Sequence, residues 1–599
     1  MDSCRRHSTL PWAIALTWSI ICVNAFTTSA ERLGDLSDYE LASFDNPDIL
    51  DKTQRRASKF NHFALSDHGD VYVGAVNWLY RLESSLKMIQ NVSTCDDSRP
   101  DSVMPCHLTN NYNKILVVDS TRPNSLITCG GVYDGICQLR QLQDISNVMM
   151  ESVPNVAGFE DASTVSMIAL GKDGQEMLYV AVTYTGENVN DQGNFPTIAR
   201  RTLEINRYDQ SSLLSAIQRD DSIFFNDPAK HTIFSIKYVA AFAHSGFTYF
   251  VASQKEDLNS AQFVTKMSRV CQCGPNLDAY TEITLQCSGS DGSVYSLVQA
   301  AHFGPAGPDL AASLGLHADE QVVYTVFAKN QGAPGTSDVP IDHSALCVYR
   351  MTDILAAFRE AVRGCIQDGN TYSINYLEGS FCSTFGIPIL DRYFCIPLTD
   401  DAIQTPLFQY AKGIAPVPTT AIIELPGTLM SSIIITIEFN HTIALIGTSR
   451  GDLLKVHMES STASRLYERI GVDTSPVLQD VKVNESTRVL LLLTEQKLVK
   501  LREENCGQYT TCGTCIGTDA GNDGDPYCGW CTLKRRCTRY SDCPSADVST
   551  RWLAYNAAIN ITDVAPYDNL PITVTEQQVR DRCIEITSNL QICYGMIQK

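Results

Sequence analysis

Between Lys59 and about Leu501 the chain alternates apolar and polar residues over short runs, each closed by Gly, Asp or Asn. Phe60–Leu82 (FNHFALSDHGDVYVGAVNWLYRL) shows the pattern best. One alternating run ends at a polar turn holding Gly69, a second begins at Val71, Asn77 interrupts it, and Leu79–Leu82 resumes it. A period of two in β-branched and aromatic residues, punctuated by turn formers, predicts antiparallel hairpins with one face on a core and one on solvent. The same texture returns at residues 126–142, 177–184, 247–270, 321–351, 443–458 and 489–501, which with Val71–Leu82 makes seven occurrences. No strict residue period relates them, so the repeat is one of structure. Seven strand clusters in series predict an all-β, seven-bladed β-propeller, in which a small twisted sheet gains a neighbour on each face by closing into a ring. A set of β-sandwiches is the other all-β arrangement open to this pattern.

Three stretches depart from the strand texture. Met351–Arg363 (MTDILAAFREAVR) spaces its apolar residues as a helix does, and predicts a helix packed on a blade edge. Residues 31–55 are polar and acidic, contain Pro47, and read as a loose leader. Ser431–Phe439 is the most apolar later stretch, but it is short and β-branched, which predicts a strand and not a membrane span.

Cys506–Cys543 carries seven cysteines among Gly, Asp and Pro, with one short apolar-aromatic cluster around Trp530. So little aliphatic surface cannot hold a fold without cross-links or a metal. Cys512-x2-Cys515 followed by Cys528-x2-Cys531 has nearly the spacing of a zinc ribbon. Cys506, Cys537 and Cys543 would stand outside a four-ligand site. The N-terminus bears on the choice. Arg5 and Arg6 precede an apolar run from Leu10 to Val23, and small residues near Ala25 or Ala30 suit cleavage, as in a secretory signal over residues 1–30. Export to an oxidising compartment favours disulfides over zinc. Of the 22 cysteines in the chain, Cys4 and Cys22 lie in that leader, leaving an even 20.

The 599 residues exceed one small core, and 44% hydrophobic with 19% charged residues is a globular composition. The net charge of −21 becomes −22 once the leader is removed, and no Lys/Arg run offsets it. Such a polyanion repels nucleic acid and acidic lipid, which leaves proteins as the expected partners. Behind a signal peptide, the N-x-S/T triplets at Asn91, Asn440, Asn484 and Asn560 are candidate glycosylation sites.

The chain shows no HExxH, GxSxG, P-loop or strand-following GxGxxG, so no catalytic, cofactor-binding or metal-binding residue is expected. His62 and His68 flank one turn, and His441 and His457 flank a hairpin, as ordinary surface or core residues do. Asp119 and Asp134 are near in sequence, which alone establishes no acid–base pair. Arg450-Gly451-Asp452 suggests an integrin motif, yet it lies between IALIGTS and LLKVHM where a tight turn needs Gly. Lys534-Arg535-Arg536 reads as a solvated hairpin tip before a polyanion site, and Arg200-Arg201 as a dibasic loop that a protease could cut.

Residues 488–543 resemble the junction of a sema propeller with a PSI domain: VLLLLTEQKLVKL runs into CGQYTTCGTC, then PYCGWC, then RRCTRYSDC. Upstream, FNHFALSDHGDVYVGAVNWLYRL and NKILVVDS with LITCGGVYDGICQL resemble a plexin more than a semaphorin. The resemblance covers about residues 55–585. It implies a sema domain over 31–504, a PSI domain over 505–584, and the start of a further segment or tail at 585–599. It implies the propeller pairs Cys95–Cys106, Cys129–Cys137, Cys271–Cys395, Cys287–Cys347 and Cys365–Cys382. In the PSI domain it implies Cys506–Cys528, Cys515–Cys537, Cys531–Cys543 and Cys512–Cys583. The stretch after Cys515 (IGTDAGND) and the gap from Cys543 to Cys583 are longer than the family pattern, and Cys273 and Cys593 have no family partner.

The function implied is an extracellular head that recognises a semaphorin through polar inter-strand loops, without catalysis or cofactor. Length and polarity single out Gly186–Arg201 and the segment near Gln254–Phe263 as contact loops. A plexin continues into IPT domains, a membrane helix and a cytoplasmic region acting on small GTPases. Membrane attachment would come only through such further sequence, at the plasma membrane. The alternatives are a secreted sema–PSI ligand or soluble decoy, and an enzyme carried on a propeller scaffold.

Overall fold

Each of the seven runs becomes the middle of a separate sheet. The computed structural model describes residues 32–47, 58–94, 110–382 and 410–555, apart from 133–134, 153, 160–161, 172–173, 184–194, 205–213, 215–220, 228, 273–276, 278–279, 318–319, 485, 518–523 and 549–550 and the side chains of 231–232; for 584–586 and 590–592 it describes the backbone alone. Blade 1 is built from Phe60–Leu65, Val71–Ala75, Trp78–Leu82 and Met88–Ser93, innermost strand first. Blade 2 takes Asn113–Val118, Ser125–Gly130, Cys137–Gln141 and Val148–Glu151. Blade 3 takes Thr164–Leu170, Glu176–Val182, Ile198–Thr202 and Ser222–Ile223. Blade 4 runs from Lys237–His244 to Tyr280–Ser288, and blade 5 from Leu297–Pro305 through Pro340–Arg350 to Ile423–Pro426. Blade 6 runs from Met430–Glu438 to Ser464–Gly471, and blade 7 from Val477–Asn484 to Lys497–Arg502. The seven innermost strands contact one another in succession around the ring. The chain therefore folds as the seven-bladed propeller, and the sandwich alternative fails.

The alternation read in the sequence predicts one solvated face per strand. Instead Val71–Ala75 is buried at every position, as is nearly all of Phe247–Lys255 and Val489–Thr494. The reason is the ring: each sheet lies between two others, so both faces are interior. Apolar clusters fill the gaps between neighbouring blades. Leu79, Leu116 and Leu126 fill the gap between blades 1 and 2, for example, and Ile446, Leu346 and Tyr324 the gap between 5 and 6.

The loose leader expected at residues 31–55 is corrected for its described part. Arg32–Gly34 runs parallel beside Glu468–Ile470 on the rim of blade 6, and Glu40–Asp45 runs antiparallel beside Lys497–Arg502 as the outer strand of blade 7. Polar residues suit these positions because an edge strand keeps a solvated side. The hydrogen-bonding partner lies at the other end of the chain, where no local pattern could show it. Returning residue 45 to residue 497 costs about 5 kcal/mol of loop-closure entropy. Phe44 helps to offset it, stacked 5.7 Å from Phe60 and edge-on 5.4 Å from Tyr80 of blade 1.

The expected helix is present and longer, at Met351–Asp368. Ile354 and Phe358 pack with Tyr249, Ile283 and Val323 over blades 4 and 5. It begins an excursion that adds Tyr410–Lys412 and Val417–Thr420 in parallel to the outer side of Tyr280–Ser288 before blade 5 receives its last strand. Of the stretch Ser431–Phe439, all but the last residue lies in the strand Met430–Glu438, as the sequence predicts, with Phe439 in the turn that follows, and no helix among the described residues is long and apolar enough to cross a membrane.

Phe44→Ala should lower stability by about 2 kcal/mol, less than the loss for a fully buried phenylalanine. The urea midpoint should fall with the slope unchanged. Leu41→Ala, on the same strand but exposed, should leave both in place.

Candidate recognition surface

The cysteine-rich segment folds around a three-stranded sheet, Arg536–Thr538, Gly529–Cys531 and Trp552–Ala554, with a short helix at Cys512–Ile516 capped by Thr511. Cys506–Cys528, Cys515–Cys537 and Cys531–Cys543 are disulfides, and Cys512 is disulfide-bonded as well. The zinc reading is overturned. The Sγ atoms of Cys506, Cys528 and Cys537 do lie together, but each sulfur is already spent in a disulfide and offers no thiolate. The two CxxC pairs face different partners. Gly529 is required by packing, since a Cβ there would meet the Trp552 ring at 2.3 Å.

This small domain shares its core with the propeller. Tyr509, Ile516, Tyr527, Trp530 and Leu553 belong to one apolar cluster with Leu445, Ile470 and Leu492 of blades 6 and 7. The Phe439 turn of blade 6 inserts between Trp552 (4.9 Å) and Tyr540 (5.0 Å). Arg539 pairs with Glu503 at 2.8 Å and lies 3.7 Å from Glu438 of blade 6.

At the centre of this joint Lys455 is fully buried. Its Nζ lies 2.9 Å from Glu468 of the neighbouring strand and 3.8 Å from Asp525 of the cysteine-rich domain, and 4.3 Å from the Tyr39 ring centre. The Tyr39 hydroxyl donates to Glu468 at 2.6 Å, and that of Tyr467 to Asp525 at 3.4 Å. One ammonium thus serves two carboxylates. Burial above all pushes the Asp525 carboxyl up to about 6, with Lys455 opposing and Glu468 adding to the shift. Nearby, His441 and His457 of blade 6 stand 4.8 Å apart, each edge-on to Tyr555, whose hydroxyl accepts from Arg465. Burial and the neighbouring His457 hold the His441 imidazole below its usual value, against the pull of Asp309.

Two family models match parts of this chain. The Sema domain family matches residues 298–484 and the plexin repeat (PSI) family residues 505–557. Plexin-A4 of Homo sapiens is 30% identical over 526 residues, spanning 81% of this chain, and Plexin-A2 of Homo sapiens is 27% identical over 84% of it. The chain is a sema–PSI protein of plexin type. It spans about a quarter of the length of the curated relatives it matches. The plexin A4 extracellular region superposes on 86% of the chain with a TM-score of 0.70 at 26% identity, covering 44% of that structure. A chain in the complex of Drosophila Plexin A with Semaphorin 1b shares the fold at 16% identity, with a TM-score of 0.55 over 86% of this chain and 97% of that one. Neither matched domain belongs to a catalytic family.

Within this plexin-type chain the propeller carries the disulfides Cys129–Cys137, Cys287–Cys347 and Cys365–Cys382. Cys129 and Cys137 are directly opposite on neighbouring strands, and Cys287–Cys347 ties blade 4 to blade 5. Cys271 is disulfide-bonded, whereas Cys395, the pair Cys95–Cys106, Cys273, Cys583 and Cys593 lie outside the described residues. Of the glycosylation candidates, Asn91, Asn440 and Asn484 are exposed, and Asn560 lies outside the described residues, as does the signal segment 1–30.

Several surface readings change. The loop reading of Gly186–Arg201 is corrected at its end, because Ile198–Thr202 is a buried strand of blade 3. Arg200 pairs with Asp221 and Arg201 donates to the Leu214 carbonyl at 3.0 Å, both buried, so no protease reaches this dibasic pair in the folded chain. Gln254 is likewise buried within a strand, which confines the other candidate to the turn Glu256–Gln262. Glu256, Asn259, Ala261 and Gln262 are exposed there, and Asp257 holds the turn by accepting from the Asn259 and Ser260 amides. Arg450-Gly451-Asp452 is a structural turn. Gly451 has φ +84° and would carry a Cβ 2.1 Å from the Asp473 carbonyl, while Arg450 pairs with Asp342 and Asp452 with Arg469. Lys534, Arg535 and Arg536 form an exposed tip. Asp119 is buried under its own turn, bound to the Thr121 amide, and Asp134 lies outside the described residues. His62 pairs with Asp480 and His68 is exposed. The joint residues Lys455, Glu468 and Asp525 had no sequence signal, since they lie on three separate stretches and nothing local marks them as partners.

Tyr39→Phe keeps the ring over Lys455 and removes the hydroxyl that donates to Glu468 and accepts a long bond from Gln508 Nε2 at 3.5 Å. It should cost about 2 kcal/mol, the range for a hydrogen bond to a buried charge, read from denaturant midpoints. Asp525 supplies a pH test. The folded chain holds that proton more tightly than the unfolded one, so its contribution raises stability as pH falls from about 6 toward the ordinary value of 3.8. Asp525→Asn should lose this dependence, and its melting temperature relative to wild type should rise between pH 4 and pH 6.

Proposed function

We propose that the chain is the semaphorin-recognising head of a plexin-type receptor, acting outside the cell by binding and without catalysis. The observation that carries this reading is the match to plexins across the propeller and the PSI domain together, at 30% identity over 81% of the chain. The complex of Drosophila Plexin A with Semaphorin 1b shows that a plexin of this fold class meets a semaphorin. The disulfide framework suits the oxidising exterior. The shared core at the joint fits the PSI domain to set a fixed direction for whatever follows it.

On this reading the partner is met by rim turns, of which Glu256–Gln262 is the described candidate; residues 186–194 of the other candidate lie outside the described residues. A soluble ligand or decoy built from the same two domains is the competing reading, and semaphorin ectodomains share the fold at 17% identity. A full-length transcript running on into a membrane helix decides for the receptor.

The direct test captures residues 31–599 on a sensor and presents a panel of semaphorin ectodomains. Binding to none of them would remove the proposal. Exchanging the charges at Lys255 and Glu256 (Lys255→Glu with Glu256→Lys) should weaken binding to the semaphorin that is recognised by about tenfold, or about 1.4 kcal/mol. Unchanged affinity would place the contact elsewhere on the rim.

A further inference from the structure

The blades differ in how their outer edges end. A free edge strand offers unpaired N–H and C=O groups to any other chain, and proteins blunt such edges with charge, proline or brevity. Blade 7 ends on ELASFD, with an acid at each end. Blade 2 ends on four residues including Glu151, and blade 3 on two. Blade 5 ends on IELP, with an acid and a proline. The rim of blade 4 is covered by Tyr410–Lys412 and Val417–Thr420, and that of blade 6 by Arg32–Gly34. Among the described residues, blade 1 alone ends on a six-residue strand with neither charge nor proline, Met88–Ser93, MIQNVS. It pairs with Trp78–Leu82 and with no other strand among the described residues. Met88 and Ile89 are 43% and 45% exposed. A six-residue edge without charge, proline or glycine, and with Met88 and Ile89 exposed, fits the sequence signature of strand-to-strand association.

That same strand holds the triplet Asn91-Val92-Ser93. The two faces of the strand are distinct. Gln90 is turned to blade 2, donating to Asp144 Oδ1 at 2.7 Å and accepting from the Ile145 amide at 3.1 Å. Val92 packs with Leu79 and Ile145 in the same gap. Asn91 stands opposite Tyr80 on the other face and is exposed. We infer that Asn91 carries an N-linked oligosaccharide, and that this sugar is the device that keeps the edge of blade 1 from pairing with a second chain. In the transfer, Nδ2 of Asn91 bonds to the anomeric carbon of a lipid-diphosphate-linked oligosaccharide. The bond from that carbon to the diphosphate oxygen breaks, the lipid diphosphate leaves, and the amide gives up one proton. The product places a bulky hydrated group midway along the strand, where another backbone cannot approach to ladder distance. This inference concerns self-association, and it stands or falls independently of semaphorin binding.

The test uses the full chain secreted from a eukaryotic cell line. Peptide mass spectrometry should find Asn91 glycosylated. Asn91→Gln and Ser93→Ala each abolish the acceptor and should shift the weight-average mass in sedimentation velocity upward with concentration, while wild type stays monomeric. Adding Ile89→Lys to Asn91→Gln should restore the monomer, since a charge then guards the edge. Asn484→Gln, remote from this rim, should remain monomeric. If the acceptor variants are not secreted, enzymatic deglycosylation of folded wild-type chain gives the same comparison. An unmodified Asn91, a deglycosylated chain as monomeric as wild type, or equal association from Asn484→Gln would each overturn the inference.

Discussion

One buried ammonium joins the parts of this molecule that are farthest apart in sequence. Lys455 belongs to blade 6, Glu468 to the next strand, Asp525 to the PSI domain, and Tyr39, which covers the ammonium and bonds Glu468, to the N-terminal segment. Removing Lys455 would leave two buried carboxylates without a counter-ion, which costs far more than the intact group contributes. Such an arrangement forms only when the ring is closed and the PSI domain is seated. It therefore acts as a check on assembly as much as a source of stability.

The ring imposes this need. Each blade buries both faces, so no blade is satisfied until its two neighbours are in place, and the last gap closes only when residues 40–45 reach the strand Lys497–Arg502. The seam falls at blade 7, beside the PSI domain, which shares one apolar cluster with blades 6 and 7. Closure of the propeller and docking of the PSI domain are consequently one event in energetic terms. The propeller and the PSI domain thus pack through one common core.

How much of this could be read from residues alone follows from the range of each interaction. Hairpins are local, so the middle-strand pairs of six blades were legible, as was the helix at Met351, whereas in blade 3 only Glu176–Val182 was read as strand and its partner Ile198–Thr202 as loop. The innermost and outermost strands were less so. Arg32–Gly34 and Glu40–Asp45 are polar because they lie at edges, and their partners are hundreds of residues away, so they read as leader. Arg200 and Arg201 read as an exposed dibasic loop because a buried arginine differs from a solvated one only by its partners, here Asp221 and the Leu214 carbonyl. The cysteine spacing left zinc and disulfide open, the compartment implied by the N-terminus favoured disulfides, and the family resemblance implied the pairs Cys506–Cys528, Cys515–Cys537 and Cys531–Cys543 that the structure shows. Lys455 and Asp525 were invisible for the same reason as Arg200: burial and pairing belong to the tertiary structure.

Interior and rim obey different constraints, which is why the blades are alike in one place and unlike in the other. Inside, every gap must be filled at the density of a protein core, so the middle strands converge on Val, Leu, Ile and Tyr whatever their order. At the rim nothing needs filling, and each outer strand must only be kept from pairing with a stranger. That demand can be met by an acid, a proline, a covering strand or, as inferred for blade 1, a sugar, and the blades differ in which they use. The same freedom leaves a turn such as Glu256–Gln262 able to change its charge without disturbing the packing of the blade beneath it.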